Sequence, residues 1–180
     1  MIGVWNLWLF FVLGYGVIWA SMGWANRKRE KPIEDPELYK FHGKKILVIG
    51  WMWLIVVFLV SLFVPVNFKF LFWLGLSLFI IGIILNVISM YSFAQFTGGI
   101  NITGIYRYSR NPMYVGGFFF LSGLCLMGWS KSAWSIAFFI LFIISLPYYH
   151  WTILLEEGFL ENKYGEPYLK YKQNVPRYLI

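Results

Sequence analysis

Long apolar runs separated by short polar connectors are the feature that most limits how this chain can fold. They cover residues 3–24, 46–64, 70–93, 113–129 and 133–152. Each has about the 17 to 25 residues that a helix needs to cross a bilayer core of roughly 30 Å. The pattern therefore predicts an all-α integral membrane protein, with five transmembrane helices in a single membrane domain over residues 1–180.

The composition agrees with lipid, rather than water, as the surrounding medium. Charged residues make up 13% of the chain, whereas soluble domains have about 25%. A net charge of +7 would suggest a nucleic-acid partner in a soluble protein, but in a membrane protein it first reflects topology. We therefore expect membrane lipids as partners and no nucleic acid, and the sequence indicates no obligate protein partner.

The basic residues fall almost entirely on one side of the predicted bundle. Of the 15 Lys and Arg residues, all except Lys69 and Lys131 lie in the first loop, the third loop or the C-terminal tail, and the eight acidic residues share that side. Because cytoplasmic loops carry the excess of Lys and Arg, the N-terminus is predicted to be external and the C-terminus cytoplasmic. The first apolar run lacks a preceding basic region, which predicts a retained span rather than a cleaved signal peptide. Any chemistry is then expected on the cytoplasmic side.

Glycines inside the apolar runs predict where helices approach each other closely, because small residues let backbones come together in lipid. Only residues 130–132 separate the last two spans, which predicts a tight antiparallel hairpin. The glycines expected to pack in this way are Gly75, Gly82, Gly116, Gly117 and Gly123.

The most polar connector between spans, GIYRYSRNPMY, covers residues 104–114. Asn111 and Pro112 predict a helix start, since asparagine can cap a helix and proline is tolerated at its first position. The free N–H groups of that helix start, together with Arg110, would suit a carboxylate or a phosphate. The tyrosines of the connector fit either an interfacial aromatic belt or a surface that faces a purine or a cation.

A second polar segment follows the last span. Apolar residues at helical spacing extend the predicted helix to about Lys163, before residues 164–165 end it. Glu156 and Glu157 then lie about one turn beyond the apolar run, and adjacent helical side chains point about 100° apart. At least one of them is therefore able to turn inward, and the sequence leaves open which. His150, on roughly the same face as Glu157, is interpreted as a satisfied interfacial histidine.

The remaining polar features indicate no familiar site. The loop between the first two spans is predicted to be a solvated connector, and its His42 receives no role. The single cysteine, Cys125, is predicted to be a buried apolar residue. The sequence has no P-loop, GxGxxG, GxSxG or HExxH motif and no cluster at metal-ligand spacing. We therefore predict no metal site and no hydrolysis by a metal or a serine triad.

Two motifs follow each other in the C-terminal half of the chain. The first reads Arg-Asn-Pro-Met-Tyr-Val-Gly at residues 110–116. The second begins with Glu-Glu at 156–157, continues as Tyr-Gly-Glu-Pro-Tyr at 164–168 and ends with Val-Pro-Arg at 175–177. In this order they resemble the superfamily of isoprenylcysteine carboxyl methyltransferases and phospholipid methyltransferases, over a catalytic part of about residues 95–178. Many members that modify prenylcysteine have histidine where this chain has Asn111.

The resemblance implies S-adenosylmethionine as the cofactor, bound at the cytoplasmic ends of the last two spans and covered by the connector and the tail. By the same resemblance, Arg110 and the start of the fourth helix would hold the methionine carboxylate. Glu156 or Glu157 would bind the ribose hydroxyls or the amino group. Methyl transfer needs positioned reactants more than an acid–base pair, so Arg110 and Glu157 are expected to position rather than to exchange protons.

Three tyrosines of these motifs are expected to shape the adenine and sulfonium pocket, since aromatic faces suit a cation. The complete set implied for cofactor binding is Gly104, Tyr106, Arg110, Asn111, Pro112, Tyr114, Glu156, Glu157 and Tyr168.

The implied activity is methyl transfer at the cytoplasmic membrane interface to a lipidic or hydrophobic acceptor. An isoprenylcysteine-like carboxylate, which would be O-methylated, is one such acceptor, and a phospholipid amine, an isoprenoid acid and a small thiol fit as well. Two alternatives stay open. One is an NADPH-dependent membrane reductase of the sterol reductase type, whose C-terminal part resembles this superfamily, and the other is a non-enzymatic membrane lipid-binding or assembly protein.

Overall fold

The computed structural model describes residues 6–28, 36–96 and 99–179, with side chains from residue 48 onward in the second range. The connector predicted after the first span, residues 26–45, is wrong in part, because residues 36–45 belong to a helix that begins at Pro36, and proline is tolerated at a first helical position. Residues 29–35 and the side chain of His42 lie outside the described residues. Within these ranges every regular element is a helix, accompanied by one isolated bridge between Asn6 and Pro65.

Six α-helices and one short 3₁₀ turn follow each other along the described part of the chain. The 3₁₀ turn covers Gly104–Arg107 and precedes the fourth α-helix. The α-helices are α1 Trp8–Lys28, α2 Pro36–Ser61, α3 Phe70–Ala94, α4 Pro112–Met127, α5 Ala133–Tyr164 and α6 Glu166–Asn174.

The apolar character of these helices is that of an integral membrane protein. Of the described helices, α1, α3 and α5 are long and apolar enough to cross a bilayer, whereas α4 and the described apolar part of α2, Val48–Ser61, are shorter. The all-helical class predicted from the apolar runs is confirmed. The number of five crossings and the hairpin of the last two spans stay predictions.

Helices α3 and α4 pack with their backbones in contact, and glycines make this possible. A Cβ atom built on Gly75 would lie 2.6 Å from the carbonyl oxygen of Gly123, and one built on Gly82 would meet the backbone of Gly116 and Phe120. Close packing is thus confirmed for four of the five predicted glycines. Gly117 is the exception, because a Cβ there would only touch the ring of Tyr149 at 4.0 Å.

Because of this contact, substitution by alanine should have different effects on stability at two helical glycines. Alanine at Gly75 forces the α3 and α4 backbones apart, so we expect Gly75→Ala to lower the free energy of unfolding by about 1–3 kcal/mol, the usual cost of overpacking. A Cβ atom added to Gly16 of α1 would meet nothing within 4 Å, so Gly16→Ala should be neutral. Thermal unfolding in one detergent measures both variants, and equal losses would contradict the proposed helix contact.

The far end of α5 places the second polar segment. The helix continues past the predicted end of the apolar run and ends at Tyr164, as the sequence pattern predicted to within a residue. Gly165 follows with a φ of 58°, a left-handed conformation that glycine adopts without the steric cost of a Cβ. The chain then reverses into α6, which lies against the last turns of α5 and carries the buried Tyr168.

Candidate functional site

The two polar segments that are far apart in the sequence meet at one end of the helices. The backbone N–H of Arg110 donates to the carbonyl oxygen of Pro176 at 3.0 Å. The Ser109 hydroxyl donates to the carbonyl oxygen of Arg177 at 3.2 Å. Arg110 Nη1 also donates to the carbonyl oxygen of Lys172 at 2.6 Å. The C-terminal segment is thereby fastened to the connector that begins α4.

Glu157 lies at the centre of this junction. Its Oε1 is 3.2 Å from Arg110 Nη2 and accepts a hydrogen bond from Asn111 Nδ2 at 3.1 Å. Its Oε2 accepts from Arg177 Nη2 at 2.9 Å and from Arg177 Nε at 3.1 Å. We refer to Arg110, Asn111, Glu157 and Arg177 as the Glu157 cluster.

The cluster is a buried charge network with one excess positive charge. Only 2% of Glu157 is exposed, and the exposed side-chain fractions of Arg110 and Arg177 are 7% and 29%. A buried carboxylate is tolerated when charge-assisted hydrogen bonds satisfy both oxygens, and here three donor side chains do so. The hydrogen bonds that Arg177 donates to Glu157 also raise the pKa of the Arg177 guanidinium above its ordinary value.

Asn111 begins α4 in a different way from the one predicted. It occupies the position before Pro112, so the helix start is confirmed, but its side chain makes no capping hydrogen bond. The predicted side-chain cap is therefore wrong. The physical reason is orientation: a cap would need Oδ1 to accept from a backbone N–H of the helix, whereas the amide is held by its Nδ2, which donates to Glu157 and to the carbonyl oxygen of Arg177. Asn111 connects the start of α4 to α5 and to the tail.

Arg110 has an unused donor. Its two terminal nitrogens contact Glu157 and the Lys172 carbonyl, while Nε is buried and has no hydrogen-bond partner among the described residues. Buried polar groups are normally paired, so an orphaned N–H in a charged cluster marks a position at which a ligand oxygen would be accepted. That Arg110 binds a carboxylate stays a prediction.

Glu156 and Glu157 both turn inward, but to different neighbours. Glu157 faces the cluster, whereas Glu156 is partly buried and its Oε1 accepts a hydrogen bond of 2.6 Å from the Tyr114 hydroxyl. Tyr114 lies in the first turn of α4, so Glu156 connects α5 to that helix, whereas Glu157 contacts Arg110 and Asn111 just before it. The sequence left open which of the two glutamates faces inward, and in the structure both do.

The other two predicted tyrosines, Tyr106 and Tyr168, are buried rather than on an open surface. Tyr106 is buried and packs near Phe93, and its carbonyl oxygen accepts from the Tyr171 hydroxyl at 2.7 Å. Tyr168 is 1% exposed. Burial raises the pKa of Tyr168 and of Tyr171 well above the usual value, and for both the negative charge of Glu157 adds to the rise while Arg110 opposes it. Both phenols therefore stay neutral at physiological pH.

Gly104 is explained by packing. It opens the 3₁₀ turn with a φ of 56°, and a Cβ there would collide with the side chain of Ser92 on α3. The structure places Gly104 against α3 and does not give it a contact with the Glu157 cluster. Its part in cofactor binding stays a prediction.

An apolar groove adjoins the cluster. It is a cavity of about 380 Å³ between α4 and α5, and Tyr114 belongs to its lining as well as to the contact with Glu156. His150 and Tyr178 lie at the same groove, and His150 Nδ1 is 2.6 Å from the Tyr178 hydroxyl. The histidine is thus satisfied by a hydrogen bond, as the sequence interpretation had it.

Two residues of the site were not among those predicted for it. Arg177 binds Glu157, and Tyr178 lines the groove and contacts His150. Arg177 closes the Val-Pro-Arg motif, so its motif position was a signal for it. For Tyr178 the sequence offered no comparable signal.

Comparisons with known proteins address this region directly. A family model described as phospholipid methyltransferase matches residues 70–167, more than half of the chain, and this range includes Arg110, Asn111 and Glu157. Searches of curated proteins and of solved structures found no match. The chain therefore belongs to the phospholipid methyltransferase family, within the superfamily of membrane methyltransferases that includes the isoprenylcysteine carboxyl methyltransferases.

Proposed function

We propose that this protein transfers a methyl group from S-adenosylmethionine to a lipidic or hydrophobic acceptor at the membrane interface. The observation that carries the proposal is the Glu157 cluster beside an apolar groove. Arg110, Asn111 and Glu157 of this cluster lie within the region that matches the family. Such a pairing suits a polar, charged cofactor on one side and a hydrophobic acceptor on the other. The family membership favours this activity over the reductase and the non-enzymatic alternatives.

The side chains present fit the chemical groups of this cofactor. The orphaned Nε of Arg110 suits its carboxylate, because a guanidinium recognises carboxylates through several N–H donors. Glu156 accepts a hydrogen bond from Tyr114 through one oxygen, and a carboxylate has acceptor capacity beyond one bond for a hydroxyl or an ammonium group. The aromatic ring of Tyr114 suits a cation. When bound, S-adenosylmethionine supplies a methyl group on a positively charged sulfur.

Glu157 has a supporting part in this proposal. Both of its oxygens already accept hydrogen bonds from the cluster, so it holds Arg110 and the start of α4 in place. Fixing reacting groups in a productive geometry contributes several kcal/mol to catalysis. Glu157 and Arg110 are buried, so little water reaches them, which strengthens electrostatic contacts to a bound ligand.

Calorimetric titration of the detergent-purified protein tests the cofactor. We expect S-adenosylhomocysteine to bind and NADPH to give no heat of binding, because the charged cluster and the family both suit the former. Binding of NADPH alone would favour a reductase, and binding of neither ligand would favour a lipid-binding or assembly protein. The acceptor, an isoprenylcysteine-like carboxylate being one candidate, is then identified by mass spectrometry after incubation with labelled S-adenosylmethionine and membrane lipids.

We further propose that the site faces the cytoplasm and that the N-terminus is external, since nearly all basic residues share one side and cytoplasmic loops carry the excess of Lys and Arg. In a Cys125→Ser background, a membrane-impermeant maleimide should label Lys131→Cys in intact cells. Lys163→Cys, in the last turn of α5, should react only after the membrane is permeabilised. The reverse pattern of labelling would overturn the proposed orientation.

A further inference from the structure

The groove between α4 and α5 has the lining of a hydrocarbon site. Its walls include Phe118 and Phe119 from α4 and Leu146 and Ile153 from α5, and none of the described lining residues is Lys, Arg, Asp or Glu. Its volume of about 380 Å³ lies near the lower end of the roughly 300–1,000 Å³ at which proteins bind small ligands. The groove thus suits one hydrocarbon chain and offers no counter-charge for a phosphate or a carboxylate.

The polar groups of the groove are confined to a few hydroxyls and one imidazole. Tyr114 stands where the groove adjoins the cluster, with its hydroxyl bound to Glu156. On another side, His150 Nδ1 and the Tyr178 hydroxyl are 2.6 Å apart. These groups can donate or accept a hydrogen bond without adding a fixed charge. They are suited to orient an acceptor's polar end rather than to bind its chain.

The C-terminal segment joins the two halves of the site. Arg177 binds Glu157, and the next two residues, Tyr178 and Leu179, form a rim of the groove. Tyr178 and Leu179 are 39% and 42% exposed, whereas Glu157 is only 2% exposed. The rim is held at one point by Arg177 and at another by the hydrogen bond to His150, and it lines one side of the groove.

We propose that the groove binds one hydrocarbon chain of the methyl acceptor and that Tyr178 and His150 are specificity-determining residues that orient its polar end towards the Glu157 cluster. This rests on the proposed function, because it assigns an acceptor to that site. The acceptor's chain lies among the aromatic and aliphatic walls, and its polar end exchanges hydrogen bonds with the Tyr178–His150 pair. Removing the hydrogen bond between Tyr178 and His150 weakens binding of the acceptor and leaves binding of the cofactor unaffected.

Photo-crosslinking tests the chain site without requiring turnover. Hexadecanol with a mid-chain diazirine is the probe, and mass spectrometry locates the labelled peptides. We expect labelling concentrated in residues 114–119 and 146–153. Leu146→Trp fills the groove and should reduce this labelling roughly tenfold, the change that about 1.4 kcal/mol produces. Ile143→Trp, a turn earlier on the lipid-facing surface of α5, is the matched control and should label like the wild type.

Three variants test the polar pair. Tyr178→Phe and His150→Phe each remove the hydrogen bond. Each should lower the affinity for the hexadecanol probe roughly two- to tenfold, the range for one hydrogen bond. His150→Asn keeps a polar atom near the position of Nδ1 and should restore part of the affinity. The affinity for S-adenosylhomocysteine should not change in any of them.

The outcomes separate this proposal from the proposed function. If the wild type fails to bind S-adenosylhomocysteine yet labels in the groove, the proposed function fails while the groove stands as a lipid-chain site without an acceptor role. Labelling spread evenly over the exposed helices, or equal in Leu146→Trp and Ile143→Trp, overturns the chain site. A loss of S-adenosylhomocysteine affinity in Tyr178→Phe shows that the pair merely anchors the tail, which overturns the specificity role.

Discussion

Replacing Glu157 by glutamine is expected to weaken binding of S-adenosylhomocysteine by about 1–3 kcal/mol, the scale for losing a charged hydrogen-bond partner. The variant keeps the size of the side chain but removes the negative charge between Arg110 and Arg177. Two guanidinium groups then face a neutral amide whose nitrogen is itself a donor. Arg110 is almost fully buried, so it loses its counter-charge where water cannot replace it.

The expected loss of binding follows from the position of Arg110. Its guanidinium is held by Glu157 on one side and by the Lys172 carbonyl on the other, which leaves Nε directed to neither. Without the carboxylate, repulsion from Arg177 displaces this guanidinium and moves the unused donor. Arg110→Ala removes the donor itself, and we expect a loss of similar size. Because the two residues are in contact, the double variant should lose less than the sum of the single variants.

Calorimetry at a temperature at which every variant is folded measures these affinities. Glu161→Gln is the matched control, since Glu161 lies one turn later on α5 and pairs with Lys172 at a partly exposed position. Exposed ion pairs contribute at most about 1 kcal/mol, so its effect should be small. Lys131→Ala, on the predicted opposite face of the membrane, should leave binding unchanged. Losses of equal size from Glu157→Gln, Glu161→Gln and Lys131→Ala would refute the placement of the site.

Local rules were sufficient to predict several helix boundaries of this fold, whereas α6 and the start of α2 at Pro36 were not predicted. Phe70 begins α3 where the apolar run begins, and Pro112 begins α4 as a proline at a first helical position should. Gly165 follows the last residue of α5, where residues 164–165 were predicted to end the helix. Buried Cys125 also agrees with its prediction. Each of these features depends on neighbours in the sequence, which is why one sequence was enough.

The partners within the site depend on contacts between distant segments, and the sequence left them undetermined. Asn111 has the right type and position for a cap, but its amide is used by Glu157, 46 residues later in the chain. Glu156 and Glu157 are equivalent in a helical pattern, and only the packing of α5 against α4 and the tail sends one to Tyr114 and the other to the cluster. The sequence motifs predicted the two polar segments of the site, whereas tertiary packing decides which hydrogen bonds their side chains form.

Truncating Tyr168 to alanine is expected to lower the free energy of unfolding by about 3–5 kcal/mol, the cost of deleting a large buried aromatic side chain. Tyr168 is among the largest fully buried side chains of the described residues. It is also the single buried side chain of the short helix α6, all of which lies within the described part of the chain. A helix of this length has little stability of its own, so α6 depends on this anchor.

The substitution should weaken binding of the cofactor as well, because α6 carries groups that hold the Glu157 cluster in place. The Lys172 carbonyl binds Arg110, and the segment after α6 supplies the Pro176 carbonyl and the Arg177 side chain. If α6 leaves its place, these contacts are lost together. We therefore expect Tyr168→Ala to abolish measurable binding of S-adenosylhomocysteine, in addition to lowering the midpoint of thermal unfolding.

Hydrogen exchange separates loss of α6 from global unfolding. In Tyr168→Ala, the amides of residues 168–174 should exchange rapidly while those of α3 and α4, which pack through their glycines, stay protected. Tyr168→Phe keeps the buried ring and should retain most of the stability and the binding. Tyr108→Ala, at a largely exposed tyrosine of the connector, is the control for loss of an aromatic side chain and should cost little. Unchanged protection of α6 in Tyr168→Ala would contradict the anchoring role, because the helix would then be held by its remaining contacts with α5.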